Sequence, residues 1–372
     1  MHLEFAKLPT LQNVYREVIE TEDLAHLEER LESKTEDMVL LKEKCDRGNI
    51  DALRIMAVRL METNKHTEQA LDILTDLLKA QDAKATFMMG YGYILNPEEA
   101  ELGLKLTLRA IDLGATPQMF YVAGICFRDG IGTQEDAEES AKYLKEAADQ
   151  DYNLACDLYG HYLITGYGVE KNAKSGFDII EAAAHRHSVV AMNSLGVLCQ
   201  KGEIYPPASG YDAYYWYEKA AEFGDVLAAL NLGKLLIIGN LVEAEPEKAY
   251  KYFKKAATAG HPEAAYNLGL CYLNGEGVEE NKRIANDWFL KAAKKGHPGS
   301  LFNIGVSYLN GIGYSQDMIK AFQFAVLAAA QGYSPDLLEA LNEQVKGRKR
   351  RKGLKLASNF ATEHRLKTLQ MI

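Results

Sequence analysis

A glycine recurs inside an apolar helical pattern about every 36 residues, and this spacing constrains the fold more than any other feature of the chain. The positions are Gly90, Gly124, Gly160, Gly196, Gly233, Gly269 and Gly305, at intervals of 34, 36, 36, 37, 36 and 36 residues. A fixed period of roughly 20 to 50 residues indicates stacked structural repeats. Because such arrays grow by adding repeats, the length of 372 residues does not imply several globular domains.

The first half of each repeat has the pattern of a helix. In residues 263–298, Ala265, Leu268 and Tyr272 form one apolar stripe, and Gly269 lies beside it. A glycine inside a helix costs about 1 kcal/mol relative to alanine, so its recurrence indicates that a neighbouring helix comes close. Alignment on this glycine predicts eight repeats, which begin near Asp51, Lys84, Gln118, Leu154, Val190, Leu227, Glu263 and Gly299.

Glycine-rich turns and a second helix complete each repeat. Turns such as TGYGV (165–169) and NGEGV (274–278) supply the positive φ that ends a helix. The second helix is predicted to pack through a large residue four positions before an alanine pair: Tyr143, Ile179, Trp216, Tyr252, Trp288 and Phe324. Its predicted left-handed end falls on Gly224, Gly260, Gly296 and Gly332, with Asp151 and His187 in the same register.

The segments YNLGLCYLNGEGV (266–278) and WFLKAAKKGHP (288–298) resemble the Sel-1-like repeat, a relative of the tetratricopeptide repeat. The resemblance covers 118–335 and weakens over 51–117. It implies an all-α, right-handed solenoid of about eight helix-turn-helix repeats. The expected role is a non-enzymatic adaptor or scaffold that binds a partner protein or peptide on the concave face of the superhelix, in complex assembly or regulation. The predicted domains are an N-terminal helical cap (1–50), the solenoid (51–335), and a C-terminal helix, basic run and tail (336–372).

Charge and composition restrict the partner and the compartment. The net charge is −10, and residues 336–372 hold nine Lys and Arg against four Asp and Glu, which leaves −15 for residues 1–335. An acidic body argues against DNA binding. No leader peptide or membrane span is predicted, and five widely spaced cysteines favour a reducing compartment. The predicted location is cytoplasmic, with the mitochondrial matrix or inner-membrane periphery as the alternative; the nucleus is less favoured.

Two groups of residues are candidates for binding a partner. Asn231, Asn267 and Asn303 each lie two residues before the repeat glycine, on the helix face opposite the apolar stripe, where a ladder of amides could grip a peptide backbone. The alternative is that asparagine belongs to the repeat consensus and bonds to nearby backbone. Tyr211, Tyr214 and Tyr215 follow the inserted segment EIYPPASGY (203–211); they either anchor a partner or cover the insertion, whereas Trp216 and Tyr217 are predicted core.

A basic run lies near the C-terminus and consists of Arg348, Lys349, Arg350, Arg351 and Lys352. It allows three interpretations: a nuclear import signal, a patch for RNA or acidic lipid, or a solvated hinge. A hinge or an anionic contact is favoured over nuclear import.

The sequence predicts no catalytic, cofactor or metal site. The turn glycines sit between two helices and lack the lysine of a phosphate-binding loop, and His161, His185 and His187 have no ligand spacing typical of zinc sites. Two alternatives stay open. One is an organelle factor, for instance mitochondrial, that assembles a membrane complex. The other is a β-lactam-binding or β-lactam-hydrolysing enzyme, although the cysteine-rich relatives with that activity carry a close cysteine pair in each repeat.

Overall fold

In a computed structural model, which describes residues 41–42, 44–62, 67–202 and 210–366, the chain is helical and these residues contain no strand. The predicted all-α fold class is therefore confirmed. The helices are α1 Ile50–Glu62, α2 Thr67–Lys79, α3 Ala83–Ile94, α4 Ala100–Gly114, α5 Pro117–Asp129, α6 Ala137–Ala148, α7 Asn153–Thr165, α8 Ala173–His185, α9 Val189–Lys201, α10 Gly210–Glu222, α11 Val226–Ile238, α12 Pro246–Thr258, α13 Pro262–Asn274, α14 Lys282–Ala293, α15 Pro298–Asn310, α16 Met318–Ala330, α17 Pro335–Gln344 and α18 Gly347–His364.

Helices α1 to α16 form eight consecutive pairs, which we call repeats 1 to 8. The first helix of each repeat begins one residue before the start that the glycine register predicts. The two weakly matching segments, 51–83 and 84–117, form helix pairs like the others, α1 with α2 and α3 with α4. The eightfold repeat predicted from glycine spacing thus extends to the segments where its turn motif is missing.

The chain divides into two compact units, residues 1–191 and 192–372, and the division falls inside α9. The N-terminal unit contains α1 to α8, and the C-terminal unit contains α10 to α18. The predicted domain boundaries at 50/51 and 335/336 stay predictions. Most of the predicted N-terminal cap, residues 1–40, lies outside the described residues, as does most of the insertion, residues 203–209.

The repeat glycine lets the two helices of one repeat touch. A Cβ on Gly269 would lie 2.5 Å from Cε1 of Phe289, and a Cβ on Gly233 would lie 2.6 Å from the same atom of Phe253. The residue that faces the glycine follows the predicted packing residue by one position. Of the predicted packing residues, Trp216 and Phe324 are buried, whereas Tyr252 and Trp288 are half-buried. The residues that face the glycine are Leu144, Ile180, Tyr217, Phe253 and Phe289.

In four of the turns a second glycine, Gly132, Gly168, Gly277 or Gly313, packs against the preceding repeat. Gly277 has φ +69°, and a Cβ there would lie 2.0 Å from the carbonyl oxygen of Pro246, the first residue of α12. Gly168, with φ +65°, stands in the same relation to Ala137, the first residue of α6, also at 2.0 Å. These glycines serve both turn conformation and repeat stacking, since any side chain would push the two repeats apart.

The ends of the second helices have the predicted left-handed conformation. Asp151 has φ 60° and His187 has φ 66°, while the glycines at this register lie between 77° and 93°. Asp and His tolerate this region better than most side chains, although glycine adopts it without steric cost.

The C-terminal segment is a packed helix, so the predicted solvated hinge is wrong. Helix α18 lies against α16 through Gly353, Ala357 and Ala361, which are buried. The Phe360 ring meets the Phe324 ring edge-on at 5.5 Å. The small residues at i, i+4 and i+8 form a flat face that lets α18 approach α16 closely. This spacing is difficult to recognise in the sequence, because the basic run adjoins it.

Candidate partner-binding site

The first helices of the C-terminal unit lie side by side and form one continuous face. Side-chain contacts join each to the next: Asn231 to Asn193 across α11 and α9, and Lys234 to Glu263 across α11 and α13. We call the exposed side of α11, α13 and α15 the first-helix face. The second helices are joined in the same way, for example by the bond from the Tyr252 hydroxyl of α12 to Glu218 Oε1 of α10 at 3.2 Å.

The three candidate asparagines all lie on the first-helix face and are half-buried. Their amides have different partners. The Asn231 Nδ2 donates to Asn193 Oδ1 at 3.2 Å, and the Asn267 Nδ2 donates to the Glu263 carbonyl of its own helix at 2.9 Å. Asn303 bonds to the hydroxyl of Tyr266, whose pKa is raised by burial and lowered in part by that bond. Their role in binding stays a prediction, and the three amides are not equivalent rungs.

Two exposed apolar residues on α11 extend this face, and they were not among the residues predicted from the sequence. Leu227 is 51% exposed and Ile238 is 60% exposed. Together with Asn231 and Lys234 they occupy positions i, i+4, i+7 and i+11, which is one side of a helix. The signal was present in the sequence, because counting outward from Asn231 in helical steps reaches all of them.

The tyrosine cluster lies on α10, a second helix, and the structure does not bring it to the asparagines. The Tyr214 hydroxyl donates to Glu218 Oε1 at 2.8 Å, and burial, then this carboxylate, raise the Tyr214 pKa. Tyr215 is 49% exposed and lies edge-on to Trp216 with ring centroids 5.0 Å apart. Trp216 and Tyr217 are buried as predicted, whereas the Tyr211 side chain lies outside the described residues.

Two histidines stand at the starts of the first helices α13 and α15. The Nδ1 atom of His297 accepts the Ser300 amide at 3.2 Å and so caps α15, which requires a neutral imidazole. Burial lowers the pKa of both His261 and His297, against the opposing effect of Glu263. These residues are structural, as Pro at the next position also fits a helix start.

This cap predicts a loss of stability in acid. Because the folded-state pKa of His297 lies below the unfolded value of about 6.5, its full contribution is present above that value. The contribution is lost as pH falls through the folded pKa. The variant His297→Asn keeps a cap that does not titrate. Between neutral and acid pH, we expect its free energy of unfolding to fall by about 1 kcal/mol less than that of the natural protein. Urea unfolding at several pH values measures this.

The matched control is Asn281→Ser at the N-cap of α14, where the Asn281 side chain accepts the Ile284 amide at 3.0 Å and neither the natural nor the new side chain titrates. The control should keep the pH dependence of the natural protein. Equal pH dependence in the His297→Asn variant and the natural protein would show that the cap does not titrate.

The basic residues lie in the first turns of α18. Arg348, Lys349, Arg351 and Lys352 are exposed, and Arg350 is half-buried. No ion pair joins any of the five to another described residue. They are part of the C-terminal unit and lie on a different element from the first-helix face.

Four of the five cysteines are buried, and Cys45 is half-buried. All five are free, and burial raises the pKa of Cys126 and Cys271 to about 12. Within the described ranges, no three His, Cys, Asp or Glu residues come together as a metal site, and no helix is long and apolar enough to cross a bilayer.

A solved structure with a TM-score above 0.5 shares this fold. A Sel1 repeat protein from Oxalobacter formigenes superposes with a TM-score of 0.64 at 23% identity, over 86% of this chain and 93% of that one. The c5321 protein, a protective antigen of uropathogenic Escherichia coli strains with an SLR fold, covers 91% of each chain at 18% identity and a TM-score of 0.37.

A family model, the Sel1 repeat, matches more than half of the chain. The matched segments correspond to repeats 3 to 8, residues 119–152, 153–187, 189–225, 226–261, 262–297 and 298–333. Sel1 repeat proteins generally mediate protein–protein interaction. The chain belongs to the Sel1 repeat family.

Proposed function

We propose that this chain is a non-catalytic adaptor that holds an extended segment of a partner protein along the first-helix face. The observation that carries the proposal is the alignment of half-buried asparagines on the first helices of three successive repeats. On α11 the asparagine is flanked by the exposed Leu227 and Ile238. Amides bond to a peptide backbone whatever its side chains, and exposed apolar residues supply contact area. An open face of this kind suits complex assembly or regulation better than catalysis, which needs a closed, dry pocket.

The cysteines support our proposal for the compartment. Five free thiols, of which Cys126, Cys156, Cys199 and Cys271 are buried, suit a reducing environment. We therefore place the adaptor in the cytoplasm, and the mitochondrial matrix is the alternative with the same redox chemistry.

Affinity capture with the tagged chain tests the binding face. We expect the variant that combines Asn231→Ala, Asn267→Ala and Asn303→Ala to recover at least about tenfold less of the partners, since each lost buried hydrogen bond costs about 1 kcal/mol. The control combines Lys251→Ala, Asp287→Ala and Lys320→Ala, which lie exposed on the second helices of the same three repeats. Undiminished recovery with the asparagine variant would mean that the amides are structural only.

A second variant separates binding from folding. The asparagine amides also bond within the molecule, so their removal could weaken the fold. Leu227→Glu with Ile238→Glu changes only residues that are at least half exposed, and surface substitutions of this kind usually alter stability by less than about 0.5 kcal/mol. We expect this variant to melt like the natural protein and to lose partner recovery.

A further inference from the structure

Helix α18 carries a row of positive charges along its outer side. Arg348, Arg351, Lys352 and Lys355 are spaced i, i+3, i+4 and i+7, so they share one side of the helix. All four are exposed, and the opposite side of α18 is buried against α16. We call these four residues the cationic stripe.

The stripe differs from a group of repeat lysines that have an acidic partner on their own helix or next to it. Lys105 pairs with Glu101 at 2.6 Å, Lys219 with Glu222 at 2.9 Å, and Lys248 with Glu245 at 2.8 Å. No described residue forms an ion pair with any member of the stripe. The four cations of the stripe therefore lack the intramolecular partners that these three lysines have.

The arrangement is unfavourable for the isolated molecule. Like charges at i, i+3 and i+4 repel one another on a helix surface, and cations near a helix N-terminus oppose the helix dipole. Residues 1–335 carry a net −15, yet the described acidic side chains do not pair with the stripe. An anion from outside the molecule would relieve both kinds of repulsion.

The surroundings of the stripe discriminate between classes of anion. Insertion into a bilayer needs an apolar side, but the apolar side of α18, with Ala357 and Ala361, is buried on α16. Single-stranded nucleic acid needs aromatic rings for its bases, and the aromatic residue of α18, Phe360, packs on Phe324. The neighbours of the stripe along its side are Ser358, Asn359 and Thr362, which are polar and exposed.

We propose that the cationic stripe binds an acidic segment of a partner protein, with carboxylates at helical spacing paired to its four cations. Two arginines favour this occupant, because the planar guanidinium matches a carboxylate with two parallel hydrogen bonds. Arg128 shows this geometry inside the chain, because its Nε and Nη2 donate to the two carboxylate oxygens of Asp129 at 2.8 and 2.7 Å. This binding is separate from the first-helix face and does not rest on the proposed function.

The test measures fluorescence anisotropy of a labelled octaglutamate peptide with the full chain. The stripe variant combines Arg348→Gln, Arg351→Gln, Lys352→Gln and Lys355→Gln. The control combines Lys105→Gln, Lys142→Gln, Lys219→Gln and Lys248→Gln, so it has the same net charge but loses only neutralised lysines. We expect the stripe variant to bind about tenfold more weakly or worse, and the control less than about twofold more weakly.

Further arms make the result decisive. Replacing Arg348 and Arg351 by lysine keeps the charge and should retain most of the binding, and thermal melts check that every variant is folded. Binding of the natural protein should weaken as salt is raised. Equal losses in the stripe and control variants, or no binding of octaglutamate, would overturn the proposal. So would stripe-dependent binding of phosphatidylserine vesicles or polyuridylate that exceeds peptide binding.

Discussion

The Gly277→Ala variant is expected to lose about 3 kcal/mol or more of folding free energy. The new methyl group would meet the Pro246 carbonyl at 2.0 Å, so the turn of repeat 7 could keep its place only if α12 moved. The left-handed backbone, φ +69°, adds the usual cost of a side chain in that region. Urea unfolding of the full chain measures the loss.

Gly275, in the same turn, is the matched control. It has φ +72°, and its nearest neighbour for a Cβ is at 3.6 Å. Gly275→Ala therefore carries the backbone cost without the clash, about 1 kcal/mol. Equal losses for the two variants would mean that the close approach between repeats 6 and 7 does not matter to stability.

The second large effect is expected at the repeat glycine itself. Gly269→Ala places a methyl group 2.5 Å from the Phe289 ring and should destabilise the protein by about 1–3 kcal/mol, the usual cost of overpacking a core. The clash outweighs the gain of about 1 kcal/mol that alanine brings to a helix interior. Thermal and urea unfolding report the change.

Gly305 occupies the same register in repeat 8 and gives the comparison. Its nearest contact for a Cβ is the flexible end of Leu337 at 3.2 Å, so Gly305→Ala should be neutral or stabilising by up to about 1 kcal/mol. Phe289→Leu should partly rescue Gly269→Ala in a double-mutant cycle. Two results would contradict helix–helix contact as the reason why the repeat glycine recurs. One is that Gly269→Ala and Phe289→Leu have additive effects on the free energy of unfolding, and the other is that Gly305→Ala destabilises the protein as much as Gly269→Ala.

The period of the sequence predicted the repeats because each contact recurs in nearly the same residues. The left-handed ends at Asp151 and His187 could be predicted for the same reason, since their register was known from the glycines of other repeats. The residue that faces the repeat glycine could not be predicted. Tyr143 and Leu144 are both large and apolar, and periodicity alone does not show which of two neighbours turns inward.

Contacts outside the period could not be predicted in this way. In repeat 6 the turn has Leu241 where other turns have their second glycine, and the missing glycine stands instead at Gly210, the first residue of α10. A Cβ on Gly210 would lie 2.3 Å from the Leu241 carbonyl. The glycine that allows the close approach is therefore at position 210 instead of position 241. In an alignment of the repeats, these two differences have no visible connection.

The contacts of the three candidate asparagines also could not be predicted from the repeat period. Their shared register predicted a common place on the first-helix face, and all three lie there. Their hydrogen bonds depend on neighbours that do not repeat, such as Asn193 for Asn231 and Tyr266 for Asn303. A site made of side chains from several repeats is specified by these differences, so the repeat pattern alone locates the face and not its contacts.

Amide hydrogen exchange, with and without a captured partner, tests most directly whether this chain holds its partner on the first-helix face. Bound partner should slow exchange in α11, α13 and α15, and leave α12, α14 and α16 of the same repeats unchanged. Protection confined to the second helices, or to residues 41–191, would contradict the proposed binding face.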